Sequence, residues 1–104
     1  MEINLTKDAL KYEATLFKEY KERTKCGASK RAAKEFEDAE IHRIFGKDNS
    51  EDIDDTIFEL KQAGLISLDI LGNVTLNDNL IIHMENKLKD SAIDIVSFLA
   101  QFIP

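Results

Sequence analysis

With 104 residues, 43% of them apolar, the chain is long enough for one hydrophobic core without staples and too apolar for global disorder. Cys26 is the lone cysteine, which excludes an intramolecular disulfide and a cysteine metal cluster and fits a reducing cytoplasm. The opening MEINLTKDAL has no basic segment followed by an apolar run, and no stretch reaches the roughly 18 apolar residues of a membrane span, so a cytoplasmic protein without membrane contact is expected.

Thr6 is placed to cap a helix over residues 7–24, in which Ala9, Leu16, Phe17 and Tyr20 share a face widened by Leu10 and Tyr12, and which Gly27 ends. Ser29 opens a short helix, SKRAAKEF, with Ala32, Ala33 and Phe36 inward. Asp38 caps a third, DAEIHRIFG, with Ile41, Ile44 and Phe45 apolar and Gly46 as terminator. Ser50 then caps SEDIDDTIFELKQAG, where Ile53, Ile57, Leu60 and Gly64 fall on one side. Its first turns hold Glu51, Asp52, Asp54 and Asp55, which the positive end of a helix stabilises by about 0.3–1 kcal/mol each at best.

Next, LISLDILGNVTL alternates Ile66, Leu68 and Ile70 against Ser67, Asp69 and Leu71, and a two-residue hairpin turn is expected at Gly72–Asn73. Asn77 caps a helix through Leu80, Ile81, Met84 and Leu88. Asp90 or Ser91 can start a last one carrying Ala92, Ile95, Val96, Leu99, Phe102 and Ile103 at helical spacing. The expected fold is therefore mainly α with a small β-hairpin, in a single domain.

Charge is divided unevenly along this chain. Residues 18–34 hold Lys18, Lys21, Arg23, Lys25, Lys30, Arg31 and Lys34 against Glu19 and Glu22, a local balance of +5 within a net −6. Residues 35–59 hold ten acids against Arg43 and Lys47, a balance of −8. A basic corner beside an acidic belt is expected, the first suited to an acidic partner or nucleic acid, the alternative being a solvated surface with local pairs such as Arg31 with Glu35.

Reaction chemistry finds little support. DNSEDIDDTIFE sets Asp48, Ser50, Asp52, Asp54 and Glu59 at calcium-loop positions, but Ile53 stands where that loop needs glycine and Asp55 where it needs an apolar residue. His42 and His83 have no second ligand at metal spacing, so surface or capping roles are expected of both. Cys26 lies beside Lys25 with no histidine near it in sequence, which makes it a bystander thiol. No phosphate loop or nucleophile elbow occurs, so a non-enzyme with no cofactor, metal or small-molecule substrate is expected.

Three helices, a glycine-ended third helix running into AGLI, a hairpin and further helices together resemble a winged helix over residues 29–88, with flanking helices at 7–24 and 90–103. More narrowly, YKERTKCGASKRAAKEF, IFELKQAGLI and HMENKLKDSAIDIVSFLAQFIP resemble small uncharacterised winged-helix-like proteins of Gram-positive bacteria. The general resemblance implies that the third helix enters a DNA major groove, placing Glu51, Asp54, Asp55, Phe58, Lys61 and Gln62 at the duplex. Lys61 is the only lysine or arginine between Lys47 and Lys87, so that helix has the wrong sign for a phosphate wall.

A protein contact suits it better. Phe58 sits about 140° from the Ile53 direction at 100° per residue, which centres an aromatic ring among Glu51, Asp55 and Gln62. Ile93 and Phe98 lie off the main stripe of the last helix, so Ile93, Phe98 and Phe102 are candidate contacts of an isologous homodimer. The reading is a non-enzymatic interaction module, a small regulator acting through protein contacts with a partner or itself; the alternative is a DNA-binding transcriptional regulator using the basic corner.

Overall fold

The computed structural model describes residues 3–103. Its first and longest helix, α1 (Lys7–Lys25), starts where Thr6 Oγ1 accepts from the Ala9 N–H at 3.2 Å and stops at Gly27, whose φ of 102° suits a residue without Cβ. It packs against four later helices, so more than one of its faces is covered. Ala9, Tyr12, Leu16, Phe17 and Tyr20 are buried as their spacing requires, and Glu13 and Ala14 are buried beside them.

The chain then departs from expectation. Ser29 caps a helix, α2, of only Lys30–Ala33, because Glu35–Phe36 leave it to become a strand, β1. Ala33 and Phe36 face inward but Ala32 is exposed. Helix α3 (Asp38–Ile44) is capped one residue earlier than expected, by Glu37, whose N–H donates to Glu40 Oε1 at 3.1 Å. Asp38 donates its own N–H to the Asn73 side chain instead. Helix α4 (Ser50–Gln62) is likewise capped by Asn49 rather than Ser50, its side-chain oxygen accepting from the Asp52 N–H at 2.9 Å. Ile53, Ile57 and Leu60 are buried, while Gly64, grouped with them by spacing, is exposed and ends the helix with a φ of 79°.

Strands β2 (Ile66–Leu68) and β3 (Val74–Leu76) form the expected hairpin, and β1 adds to its other edge, giving an antiparallel sheet in the order β1-β3-β2. Phe36 and Leu68 both lie opposite Val74. The turn is not the two-residue one expected at Gly72–Asn73: residues 69–73 form a five-residue loop closed over Asp69. Asp69 Oδ1 accepts from the Leu71 and Asn73 N–H groups, both at 2.9 Å, and these bonds, Asn73 foremost, hold its carboxyl below the usual range. The strand alternation therefore ends at Leu68, leaving Ile70 and Leu71 at the loop apex. Gly72 lies so close to Asp38 that a Cβ there would sit 2.6 Å from the carboxylate, which sets the loop against the start of α3.

Asn77 precedes α5 (Asp78–Ser91), but its side chain bonds Gly64 O and Ser67 Oγ, not the helix. Asp90 and Ser91, expected to open the last helix, belong to α5, which ends at Ala92 in a left-handed conformation with φ 55°. The final helix, α6 (Ile95–Ala100), starts from Asp94, whose Oδ1 accepts from the Ser97 N–H at 2.8 Å. It buries Phe98 and exposes Val96, which rotates the expected face: helical spacing puts Val96 and Ile103 on the apolar stripe and Phe98 off it, whereas Val96 and Ile103 are exposed and Phe98 is buried.

Two consequences can be measured. An L-alanine at positive φ pays a backbone cost that glycine avoids, so Ala92→Gly should raise unfolding stability by about 1 kcal/mol in a denaturant titration; no gain would mean the α5 ending relaxes.

The second concerns Glu13, fully buried, with Oε2 2.6 Å from His83 Nδ1 and Oε1 without a hydrogen-bond partner. His83 is thus a partner of a core carboxylate rather than a surface or capping residue. Burial pushes the Glu13 carboxyl above its ordinary 4.5, against the opposing pull of His83. A raised folded value means stability present below that ordinary value and lost as pH rises through the folded one. Stability should therefore fall over that window in the wild type and less in Glu13→Gln; parallel pH profiles would exclude this role.

Candidate protein-contact face

The exposed side of α4 carries Glu51, Asp55, Phe58 and Gln62, all open to solvent. Phe58 is 48% exposed, with Lys61 Nζ 5.4 Å from its ring centre. Between α3, α4 and the hairpin lies a concavity of about 320 Å³ whose lining includes His42, Asp54, Asp55, Phe58 and Leu68. Its neighbour, the loop apex, presents Ile70 at 98% and Leu71 at 75% exposure. Sequence reasoning missed these two, because alternation assigned them to a strand. The available signal was the adjacent apolar pair directly before Gly72.

His42 closes one wall. Its Nδ1 lies 3.0 Å from the Asp38 carbonyl oxygen and its Nε2 3.2 Å from Asp54 Oδ1. The carbonyl requires a proton on Nδ1 and the carboxylate favours one on Nε2, so the doubly protonated ring fits both. The bond to the Asp38 carbonyl leads in raising its pKa, with Asp38 and Asp54 charge adding to it. The histidine thereby ties the start of α3 to α4 and reduces negative charge in the concavity whenever it is protonated.

The basic corner is divided by the fold. Arg23 is a structural tie: Nη2 reaches Glu40 Oε2 at 2.6 Å, Nη1 donates to the Glu35 carbonyl at 2.9 Å, and its guanidinium lies 4.1 Å from the Phe36 ring centre. Lys34 pairs with Asp78 at 2.6 Å and Lys18 with Glu22 at 2.8 Å. The anticipated Arg31–Glu35 pair is not formed among the described residues, since Glu35 has left the helix for β1. Lys21, Lys25, Lys30 and Arg31 remain exposed without ion-pair partners among the described residues.

Lys18, Lys21 and Lys25 border a groove of about 360 Å³ between the second half of α1 and α6, with Ile95 and Val96 as its apolar side. Val96 is 62% exposed there. Of the three proposed dimer contacts, Phe98 is only 5% exposed, its ring 5.6 Å from that of Phe102, while Ile93 and Phe102 are half-buried against the same core. Packing within the chain accounts for the second apolar side of α6.

The calcium-loop positions are pulled apart. Asp48 accepts from the Tyr12 hydroxyl at 2.5 Å and Glu59 from Thr6, with most of α4 between them. Burial, with Asp48 next, pushes the Tyr12 phenol far up. Among the described residues no group of three or more His, Cys, Asp or Glu side chains could hold a metal, no helix is long and apolar enough to cross a membrane, and Cys26 is an exposed free thiol.

No family model, curated protein or solved structure matches the chain.

Proposed function

We propose that the protein is a non-enzymatic winged-helix-type interaction module, a small regulator that binds another protein through the exposed face of α4 and the hairpin loop. The winged-helix reading is supported by the helix order around a hairpin whose second strand also pairs with a short earlier strand. In that reading α4 has the position of the DNA-reading helix. One observation carries the functional part: Phe58 is exposed over a concavity it shares with Asp54, Asp55 and Gly72, and the residues directly before that glycine, Ile70 and Leu71, are exposed as well. Apolar side chains gain from leaving water, whereas carboxylates oppose a phosphate surface, so the combination suits a protein partner and not a duplex. A positively charged partner with an apolar centre fits it best.

Affinity capture with the wild type and with a Phe58→Ser, Leu71→Ser double variant tests this. Both residues are exposed, so the variant should keep its helical spectrum and lose the captured protein. Equal capture by the two proteins, or none by the wild type, would remove the reading.

The competing reading, nucleic-acid binding by the basic corner, is favoured by Lys21, Lys25, Lys30 and Arg31, which have no ion-pair partner among the described residues. If all four met phosphates, log affinity would fall against log salt with a slope of about −3.6. With Arg23 and Lys34 engaged internally, anisotropy of a labelled random duplex should instead show no binding at low salt. A salt-dependent signal lost in Lys21→Glu, Lys25→Glu would establish the nucleic-acid role.

A further inference from the structure

We propose that the protein associates head to tail with copies of itself, the hairpin tip and acidic α4 face of one copy seating in the α1–α6 groove of the next. This rests on the α4–hairpin surface being a protein-contact face, and it names the partner.

The two surfaces are opposites in charge and alike in plan. The groove joins exposed Val96 and half-buried Ile95 to a rim of Lys21 and Lys25 and the internally paired Lys18 and Glu22, a net positive edge. The tip offers Ile70 and Leu71 beside a helix face carrying Glu51 and Asp55. Lys21 and Lys25 have no ion-pair partner among the described residues, and neither have Glu51 and Asp55. Each surface alone leaves apolar area in water next to a pair of charges not engaged within the described residues; docking one on the other covers both apolar parts and sets Lys21 and Lys25 against Glu51 and Asp55.

One molecule cannot satisfy itself. The end of α4 meets the cap of α1 through Glu59 and Thr6, and Asp48, just before α4, meets the first half of α1 through Tyr12. The groove uses α1 only from Lys18 onward, on the side taken by α6. The hairpin tip is tied down by Asp69 and by the contact of Gly72 with Asp38, so it cannot swing across the molecule. The contact is therefore made between copies, and as a head-to-tail contact it is heterologous: it leaves a free tip at one end of an open assembly and a free groove at the other, or closes into a ring. A two-residue apolar tip with a charged rim makes a small interface that salt weakens.

Duplex nucleic acid is a poorer occupant of this groove, because Val96 and Ile95 offer phosphate nothing.

Sedimentation velocity of the full chain, over a concentration series at low and at high salt, provides the test. The weight-average sedimentation coefficient should rise with concentration at low salt and return to the monomer value at high salt. Ile70→Ser, Leu71→Ser loses the tip and Lys21→Glu, Lys25→Glu loses the groove; each should remain monomeric alone. Mixed, they retain one working groove and one working tip, and should form a 1:1 complex that grows no further. A monomeric wild type, a dimer that stops at two copies, association that survives Lys21→Glu, Lys25→Glu, or variants that fail to pair on mixing would each overturn the proposal.

The groove variant also separates this failure from that of the contact face itself. If the wild type does not self-associate, yet it and the groove variant capture a protein that the tip variant loses, the face remains a contact surface with a different partner.

Discussion

Burial of α1 is the constraint on which the remaining structure depends. Helices α2, α4, α5 and α6 all pack against it, so Ala9, Tyr12, Leu16, Phe17 and Tyr20 form one continuous core with residues from almost every later element. Removing that apolar area from water is the dominant favourable term in a domain of this size. Covering the helix on several sides also encloses Glu13, a carboxylate that would be costly without a partner, and His83 from α5 supplies one. The Tyr12 and Phe45 rings, parallel with centres 3.7 Å apart, carry the same core to the end of α3.

Polar side chains then set the angles at which the short elements meet α1. Arg23 is the most connected of them, joining the last turn of α1 to α3 through Glu40 and to β1 through the Glu35 carbonyl, with Phe36 under its guanidinium. His42 joins α3 to α4, and Asn77 joins the start of α5 to the turn after α4. These ties hold the concavity beneath Phe58 and leave the hairpin loop projecting beside it. The surface chemistry follows: apolar residues survive in the open where the sheet has ended and no helix covers them.

The acidity of α4 has two sources that are separable residue by residue. Asp52 and Asn49 serve the helix N-terminus, Asp54 faces His42 and Glu59 holds Thr6, all within the chain. Glu51 and Asp55 have no such partner among the described residues, and they border Phe58. A count of carboxylates along the helix could not make that division. The same holds for the basic corner, where seven adjacent cations look equivalent until Arg23, Lys34 and Lys18 are engaged by Glu40, Asp78 and Glu22.

The sequence by itself determined what is encoded within a turn or two of helix: the extents of α1 and α4, the glycine endings at Gly27 and Gly64, the presence of a hairpin, and the outward direction of Phe58. Caps, positive-φ residues and apolar spacing act over a few residues, so they are readable locally. Tertiary structure alone decided the rest. Glu35–Phe36 become a strand because the distant β3 offers unpaired backbone groups, which competes with a weak four-residue helix. Phe98 turns inward and Val96 outward because α1 covers one side of a helix whose apolar residues point several ways. The division of charges into internal ties and open surface depends on which elements meet across the fold, and no pattern along the chain specifies that; for Ile70 and Leu71 the local signal, an apolar pair directly before Gly72, is outweighed by the alternation around it.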